Sequence, residues 1–336
     1  MTFTQAQFRS PWETRLLSTN ISNLAADHYV LQVEACTFCG SDLDALSSGM
    51  SDWLPLGHEV SARILKSPAT ARSDLHEGDR VAVELSTMCG FCQDCRGGRP
   101  ESCNCCPPLR LDAIGGFSEI ITATANSLWK INDLSPKLTC LVQPLAAAID
   151  AFGLGSITVG QKVAVLGVGP VALMLLYLAR QHGVEELTCI TTAGNSTRTA
   201  LAKEIGASIE VVEHIEQPDV SAFHARFDCV FNTAPFSLLT ACCSLCRYGG
   251  KIVNIGIGNV ENATFSASLF HWKRLSLRSA FARPNLFFHH AIQLISENQT
   301  FFDKFITHEF ALKDIQAAVS TLSASKRQTI KVVVLP

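Results

Sequence analysis

The strongest constraint on the fold is a strand, a glycine turn and a helix that follow one another directly. They occupy the stretch "QKVAVLGVGPVALMLLYLARQHG", residues 161–183. Strand-like and helix-like segments then alternate through "ELTCITT", "TALAKEIGA", "FDCVFNTA", "LLTACCSLCRYGG" and "KIVNIGIG". Buried strands that alternate with helices are typical of a parallel sheet with helices on its faces. We therefore predict an α/β domain over residues 145–280.

The flanking residues have a different composition. "HYVLQVEAC" and "DRVAVEL" are short β-branched runs bounded by Gly, Pro, Ser and Asp, as is typical of strands between turns. Towards the C-terminal end, "NLFFHHAIQLISEN" and "LKDIQAAVSTLSAS" have the periodicity of amphipathic helices, and "TIKVVVLP" that of a closing strand. The sequence predicts a β-rich domain in two parts, residues 1–144 and 281–336, around the α/β domain.

The glycine turn has the pattern of a dinucleotide-binding site. Gly167, Gly169 and Ala172 form G-x-G-x-x-A between a strand and a helix. Gly167 permits the tight turn, and Gly169 lets the backbone approach a pyrophosphate at the helix N-terminus, where free N–H groups point outwards. The motif also leaves open a glycine turn that binds no ligand.

The end of the next strand bears on the choice of dinucleotide. An Asp or Glu there accepts hydrogen bonds from the ribose 2′-OH of NAD and repels the 2′-phosphate of NADP. This strand end reads "TTAGNSTR" and has no acid, but offers Thr192, Asn195 and Arg198. We expect NADP to be favoured over NAD, although Arg198 is also compatible with a solvated helix position.

Six of the fourteen cysteines lie in "CGFCQDCRGGRPESCNCC", residues 89–106. Four of them form C-x2-C-x2-C-x7-C, namely Cys89, Cys92, Cys95 and Cys103. Four thiolates complete a tetrahedron around Zn²⁺ and leave no open position, so the spacing predicts a structural zinc site. A disulfide framework suits small secreted domains better than a chain of this length. Cys105 and Cys106 are not needed to complete four-coordination, and we expect them to be small packing residues.

A second set of possible ligands is more widely spaced. It comprises Cys39 in "CGSD" and the pair His58 and Glu59 in "LGHEV". One thiolate, one imidazole and one carboxylate suit a catalytic zinc with an open position. Each residue alone is equally compatible with a structural role.

Charge and hydropathy exclude other classes of partner. The net charge is −3 and no run of Lys or Arg builds a basic stripe, so we expect no nucleic-acid partner. The longest apolar run, residues 163–179, is interrupted by Gly167, Gly169 and Pro170, unlike a membrane span. The first residues contain no apolar signal-peptide core. We expect a cytoplasmic protein without a membrane partner.

Several motifs together resemble a known family. "CGSD", "GHE", the four-cysteine loop, "GGFSEI", the G-x-G-P-V turn, "AKEIGA" and "ITHEFAL" occur in this order. They resemble the zinc-dependent medium-chain dehydrogenase/reductase family, nearest its sorbitol- and threonine-dehydrogenase-like branch, over residues 32–334. The resemblance implies a GroES-like catalytic domain, an inserted Rossmann domain with a doubly wound parallel sheet, and an active site between them. It also implies a homodimer or homotetramer paired through a sheet edge, here expected at "GKIVNIGIGNVENATF".

The resemblance assigns roles to individual positions. Cys39, His58 and Glu59 match the catalytic-zinc residues, and Ser41 matches the hydroxyl that relays the substrate proton. The four-cysteine loop matches the structural-zinc lobe, which implies two zinc ions per chain. The positions that match the dinucleotide site are Gly167, Gly169, Pro170 and Val171 at the pyrophosphate, and Thr233, Ile255, Gly256 and Ile257 near the nicotinamide.

Two positions depart from the family pattern. Gln143, in "VQPLAAAIDA", replaces a Glu that can ligate zinc or bind its water, and Asp44 replaces a His of the proton relay. A Zn²⁺ ion with the thiolate of Cys39, neutral His58 and the carboxylate of Glu59 has no net charge, and a further Glu would make it anionic. We therefore expect Gln143 to support an active zinc site through its amide.

These residues predict a zinc-dependent oxidoreductase. It would transfer a hydride between NAD(P) and a secondary alcohol of a polar substrate, such as a polyol, sugar, cyclitol or amino alcohol. One alternative is an NADPH-dependent reductase of a carbonyl or iminium intermediate. Another is a non-catalytic nucleotide-binding homologue, since a fold alone does not determine function.

Overall fold

The computed structural model describes residues 1–21, 26–84, 88–103, 115–213, 224–256, 262, 264–281, 286–325 and 327–336. Ile257, Cys105 and Cys106 lie outside these ranges. The chain divides into two compact units. The first comprises Met1–Ala146 and Arg283–Pro336, and the second comprises Ala147–Ala282.

The strands of the described residues are numbered in chain order. They are β1 (Thr2–Arg9), β2 (Glu13–Asn20), β3 (His28–Thr37), β4 (Glu59–Lys66), β5 (Arg80–Val83), β6 (Ile120–Thr124), β7 (Leu128–Ile131), β8 (Lys162–Leu166), β9 (Glu186–Thr192), β10 (Ser208–Val212), β11 (Phe227–Asn232), β12 (Cys246–Asn254), β13 (Ser276–Ser279), β14 (Ile306–Ala311) and β15 (Lys331–Leu335).

The α-helices are numbered in the same way. They are α1 (Gly40–Asp44), α2 (Gln93–Arg96), α3 (Pro136–Thr139), α4 (Val142–Gly155), α5 (Pro170–Gln181), α6 (Ser196–Ile205), α7 (Leu239–Leu245), α8 (Ala267–Trp272), α9 (Phe288–Glu297), α10 (Gln299–Asp303) and α11 (Ile315–Ser325).

The first unit is built on a mixed sheet. Its strand order is β14-β15-β3-β4-β5-β7, with β6 also paired to β3, while β1 and β2 form a separate antiparallel hairpin. The central strand β3 is buried along most of its length, and its apolar residues are interrupted by the exposed Gln32 and the half-buried Glu34. Three buried rings, those of Phe8, Phe38 and Phe117, pack against one another beneath this sheet. The predicted β-rich composition is thus confirmed for this unit.

The second unit is built on a six-stranded sheet in which every pair is parallel. The order is β10-β9-β8-β11-β12-β13, so the chain starts in the middle and winds outwards in both directions. This is the doubly wound arrangement of dinucleotide-binding folds, whose ligand crevice lies where the strand order reverses. The predicted α/β class is confirmed.

The sheet edge was predicted in the wrong place. Residues 250–254 of this segment belong to β12, which lies between β11 and β13. Among the strands that the structure describes, the one at this edge is β13, whose four residues SLRS are mostly exposed and therefore carry almost no hydrophobic signal in the sequence.

Among the residues that the structure describes, one helical stretch, Pro136–Gly155, which comprises α3 and α4, is long and apolar enough to cross a membrane by length and composition alone. Within its most apolar window, 61% of the residues are buried inside the protein. The core helix of a soluble protein has the same properties, so this stretch is weak evidence for a membrane span.

Candidate functional site

Cys39 lies where β3 ends and α1 begins. Its extended backbone makes it the N-cap of α1, and its N–H donates to Oδ2 of Asp42 at 2.9 Å. Asp42 occupies the third helical position, so the two residues form a reciprocal capping box. This local structure fixes the direction of the Cys39 thiol.

His58 and Glu59 come from the start of β4, next to the end of β3. Gly57 precedes them with φ +96, and a Cβ on it would lie 2.8 Å from Sγ of Cys36, so only glycine fits this turn. Thr37 pairs with Glu59 across the two strands, which brings the Cys39 end of β3 beside His58. The candidate ligand atoms of Cys39, His58 and Glu59 all lie within 4.8 Å of one another.

His58 has a buried carboxylate partner. Oδ1 of Asp42 lies 3.5 Å from Nδ1 of His58, and both side chains are largely buried. Burial alone would lower the pKa of His58, but the charges and hydrogen bonds of Asp42 and Cys39 outweigh it and raise that pKa well above 6.5. A carboxylate behind a ligating histidine sets the orientation of the ring and its basicity. The position of Asp42 behind His58 was not predicted from the sequence, although the spacing of "CGSD" contains its capping signal.

Glu59 is fully buried and engaged by Lys331. Nζ of Lys331 lies 2.5 Å from each carboxylate oxygen of Glu59 and also donates to the Phe38 carbonyl at 3.1 Å. The hydroxyl of Thr37 donates to Oε2 of Glu59. The Lys331 side chain is 2% exposed. Burial opposes its charge, but Glu59 and Cys39 outweigh this effect and raise the pKa of Lys331. Lys331 was missed by the sequence analysis.

The remaining predicted residues of this site are less closely engaged. Ser41 has an exposed side chain on α1, and Gln143 is half-buried in the first turn of α4. Among the described residues, the Gln143 amide makes no hydrogen bond. Burial chiefly raises the pKa of the Cys140 thiol, just before α4, and the nearby Glu59 charge adds to the effect. Cys140 packs in one buried cluster with Ala35 of β3 and Val333 of β15.

The donor chemistry of this set suits zinc. One thiolate, one imidazole and carboxylate oxygens are the ligands that Zn²⁺ takes in proteins, and three protein ligands leave a position for substrate. The residues present therefore fit a catalytic zinc ion.

The four-cysteine loop brings its thiols together as predicted. Sγ of Cys89 lies 3.9 Å from that of Cys95 and 3.6 Å from that of Cys103, which lies 3.9 Å from that of Cys92. A tetrahedral site with Zn–S bonds of about 2.3 Å has S···S edges of about 3.8 Å. Ligand atoms of all four residues lie within 4.8 Å of one another. The loop fits a closed zinc site.

Backbone N–H groups already face these sulfurs. The N–H of Cys92 points at Sγ of Cys89 at 3.3 Å, and that of Cys95 points at Sγ of Cys92 at 3.5 Å. Burial opposes ionisation of Cys89, but the N–H groups of Phe91 and Cys92 outweigh it and lower the pKa of that thiol. The loop therefore makes this thiol more acidic than an ordinary cysteine.

The glycine turn in the second unit has the geometry expected of it. Gly167 has φ +98, and a Cβ on it would lie 2.5 Å from Oγ1 of Thr233, which itself donates to the Leu166 carbonyl. Gly169 is the N-cap of α5, with open space where its Cβ would be and no side chain capping the helix. The N-terminus of α5, where Pro170 and Val171 lie, can therefore present free N–H groups to a phosphate.

Some of the residues after β9 make hydrogen bonds within the protein. The Asn195 amide donates to Oγ1 of Thr191 at 3.2 Å and to the Thr192 carbonyl at 2.9 Å, so it shapes the turn. Burial lowers the pKa of the Arg198 guanidinium to about 10, so this group remains a cation at neutral pH. No carboxylate occurs between Thr191 and Arg198.

The strand ends that should face the nicotinamide lie beside each other. The N–H groups of Ile255 and Gly256 both donate to the Asn232 carbonyl, at 2.8 and 3.0 Å. A Cβ on Gly256 would lie 2.0 Å from the Ala234 carbonyl oxygen, so the backbone passes too closely for any other residue. Ile257, predicted for the same surface, lies outside the described residues.

Two family models match the chain. Residues 25–133 match the alcohol dehydrogenase GroES-like domain, and residues 170–297 match the zinc-binding dehydrogenase model. Among characterised relatives, sorbitol dehydrogenase of Bacillus subtilis is 26% identical over 341 residues, which cover 96% of this chain and 94% of that protein.

Solved structures show the same fold. An Escherichia coli alcohol dehydrogenase bound to NADH superimposes with a TM-score of 0.87 at 24% identity, over 100% of this chain and 99% of that one. A zinc-binding dehydrogenase from Sinorhizobium meliloti bound to NADP does so with a TM-score of 0.85 at 23% identity, over 100% of both chains. The chain belongs to the zinc-dependent medium-chain dehydrogenase family and is an NAD(P)-dependent alcohol dehydrogenase.

Proposed function

We propose that this enzyme transfers a hydride between a secondary alcohol of a polar substrate and NADP, at a zinc ion bound beside Cys39, His58 and Glu59. One observation carries the proposal: residues from the end of β3 and the start of β4 bring a thiol, an imidazole and a carboxylate within 4.8 Å. A buried carboxylate behind His58 is the support that a ligating imidazole requires.

The chain's own residues have separate tasks in this reaction. Asp42 holds the backbone of Cys39 and the ring of His58, so the site is organised before substrate binds. A bound zinc ion would polarise the substrate hydroxyl and lower its pKa. The exposed hydroxyl of Ser41 would accept the released proton and pass it to solvent, while Gln143 would hydrogen-bond the substrate or a water molecule. The hydride chemistry itself belongs to the nicotinamide.

The polyol class is favoured among polar alcohols. Sorbitol dehydrogenase matches nearly the whole chain, and its named substrate is a polyol. A panel of polyols, sugars, cyclitols and amino alcohols tests this proposal, with each compound assayed for reduced-cofactor absorbance. Turnover confined to simple monohydric alcohols would contradict the polar substrate class.

The preference for NADP rests on the segment after β9. A half-buried cationic Arg198 and the absence of any acid before it suit a 2′-phosphate. Measuring kcat/KM with NAD and with NADP for the wild type and for Arg198→Gln tests this point. We expect NADP to be preferred and the substitution to reduce that preference. A wild-type preference for NAD would refute the assignment.

The same segment supports a second candidate reaction. NADPH commonly supplies hydride in biosynthesis, so an NADPH-dependent reduction of a carbonyl or iminium group fits the acid-free strand end. Both directions use the same residues. Comparing kcat/KM for alcohol oxidation with NADP and for ketone or imine reduction with NADPH decides between them.

The closed four-cysteine loop would hold a second zinc ion with a structural task. Its ligands Cys89, Cys92, Cys95 and Cys103 leave no position for substrate. Cys92→Ser should therefore remove one zinc ion per chain and lower thermal stability. Full retention of two zinc ions in this variant would contradict the assignment.

We further propose a cytoplasmic homodimer or homotetramer. The cysteines that the structure describes are free thiols, as expected in a reducing compartment. Within the described part of the second unit, β13 ends the sheet, and Trp272, the last residue of the preceding helix α8, is 74% exposed. Light scattering coupled to gel filtration tests the assembly, and a monomeric mass would refute it.

A further inference from the structure

We propose that the second unit contains an anion site in a small cavity between the end of α4 and the strands β12 and β13. Its ligand is a tetrahedral oxyanion, either inorganic phosphate or the phosphate group of a small metabolite. The cavity has a volume of about 110 Å³ and is lined by Leu154, Ser156, Lys251, Ile252, Ser276 and Arg278. All six residues belong to the second unit.

The charge of this cavity favours an anion. Two of its lining residues, Lys251 and Arg278, are cations, and none of the six is acidic. The two cations come from neighbouring parallel strands, in which Lys251 pairs with Ser276, two positions before Arg278. Because residues two positions apart share a face of a strand, both cationic side chains leave the sheet on the same side.

The two cations retain donors that the protein does not use. Nζ of Lys251 donates to the Ser156 carbonyl at 3.2 Å, which offsets the negative end of the α4 dipole and leaves two of its three donors. Within the ranges that the structure describes, the Arg278 guanidinium has neither a hydrogen bond nor an ion pair. Its planar fork matches two oxygens of a phosphate group. An anion can therefore bind here without breaking an existing contact.

The backbone of Ser156 provides a further observation. Ser156 directly follows the last residue of α4 and has φ +45, a left-handed conformation that glycine usually supplies at the end of a helix. Non-glycine residues in such conformations cluster at ligand sites. The Ser156 hydroxyl makes one long contact, to the Gly153 carbonyl at 3.4 Å. Since a hydroxyl rotates freely, it can donate to a bound anion instead.

The cavity is separate from the dinucleotide crevice. The crevice lies at the carboxyl ends of the strands, where Ile255 follows β12. Lys251 comes four residues earlier, which is about 13 Å along a strand that rises about 3.3 Å per residue. The cavity is also smaller than the about 300–1,000 Å³ of pockets that enclose drug-sized ligands. It therefore suits one oxyanion and not a nucleotide.

Titration calorimetry with inorganic phosphate tests the site. The protein is first saturated with its reduced dinucleotide, so that phosphate cannot enter the crevice, and NaCl holds the ionic strength constant. We expect one phosphate per chain in the wild type. Arg278→Gln should weaken its binding about 10–100-fold, the contribution of hydrogen bonds from a charged group. The matched control is Arg274→Gln, because Arg274 is an exposed arginine outside the cavity lining, and it should bind phosphate like the wild type.

Ser156→Gly separates an anion site from a role in folding. Glycine suits the left-handed backbone, so this variant should fold normally. It should nevertheless bind phosphate about 2–10-fold more weakly, because one neutral hydrogen bond is lost. Unchanged phosphate affinity in Ser156→Gly would show that the hydroxyl does not belong to the site, and would count against the inference.

Glycerol 3-phosphate, titrated in the same way, distinguishes the two sources of the anion. Tighter binding than that of inorganic phosphate would assign the site to a phosphorylated metabolite, and weaker binding would assign it to the free anion. Absence of phosphate binding in the wild type, or equal affinities for Arg278→Gln and Arg274→Gln, would overturn the inference. If the wild type binds no phosphate and Arg278→Gln lowers the mass in light scattering, Arg278 contacts a second copy of the chain and the inference is wrong.

Discussion

Asp42→Asn is the substitution that most directly probes how the catalytic site is organised. The carboxylate of Asp42 faces Nδ1 of His58 at 3.5 Å and accepts the N–H of Cys39 at 2.9 Å. Asparagine retains an acceptor oxygen for the N–H of Cys39, so the capping box and α1 should survive the change. What disappears is the negative charge behind the His58 ring.

The magnitude follows from the geometry of this contact. Outer carboxylate partners of ligating histidines contribute about 10–100-fold in metal affinity, or about 1.4–2.7 kcal/mol. The distance of 3.5 Å is longer than the usual 2.7–3.2 Å of an N–H···O hydrogen bond, so this contact lies at the weaker end. We expect Asp42→Asn to weaken zinc binding about tenfold and to lower kcat, because the His58 ring is a weaker zinc ligand without its carboxylate partner.

Zinc affinity is measured by chelator competition at neutral pH, together with turnover of a polyol in excess zinc. Asp52→Asn is the matched control, because Asp52 is an exposed carboxylate on the connection between Cys39 and His58. Equal zinc affinities for the wild type and Asp42→Asn would refute the reasoning. So would an equal loss in Asp52→Asn, because the effect would then come from general charge and not from the contact.

Three further changes test other parts of the structure. Burial raises the pKa of Glu34, but the hydrogen bond from Arg80 outweighs it and lowers this pKa below 4.5. Glu34 therefore stabilises the folded protein above pH 4.5, and this contribution is lost on acidification. In urea unfolding, Glu34→Gln should cost about 1.5–3 kcal/mol at pH 7, and the difference from wild type should shrink below pH 4.5; a pH-independent difference would contradict this. Gly167→Ala should weaken NADP binding at least about tenfold in fluorescence titration, because its φ and the Thr233 contact each oppose a side chain; an unchanged Kd would refute the turn's role. Lys273 donates to three carbonyls at the end of α7, so Lys273→Met should cost about 2–4 kcal/mol in thermal unfolding; an unchanged Tm would contradict this.

The fold could be predicted largely because its signals are local. The β8 strand, the Gly167 turn and α5 follow each other within residues 162–181, and each has the composition that its element requires. The alternation of strands and helices then indicates a parallel sheet without any long-range information. The short strand β13 escaped prediction because four mostly exposed residues give no periodic signal.

The end of helix α7 shows a second limit of prediction from the sequence. The segment "LLTACCSLCRYGG" predicts a helix up to its glycines, but α7 ends at Leu245 and β12 already begins at Cys246. The ion pair between Arg247 and Asp228, together with the parallel pairing of β11 and β12, extends the strand backwards. Tertiary contacts outweigh local propensity here.

The candidate site likewise contains residues that could be predicted from the sequence and one that could not. Cys39, His58 and the four-cysteine loop could be predicted because they stand in short motifs with ligand spacing. Lys331 could not, because it lies 272 positions from Glu59 and meets it only through the pairing of β15 with β3. Its one signal in the sequence is a lysine directly before three valines. The strand that contains them, β15, is buried from Lys331 to Val334. A charged residue in such a strand requires a buried partner.

Catalysis is assigned to Cys39 and His58 and not to the cysteine loop. Zinc content per chain, measured by mass spectrometry on the wild type and on His58→Gln alongside polyol turnover, tests this assignment. We expect two zinc ions and turnover for the wild type, and one zinc ion without turnover for His58→Gln. A His58→Gln variant that retains two zinc ions or wild-type turnover would show that catalysis does not depend on this site.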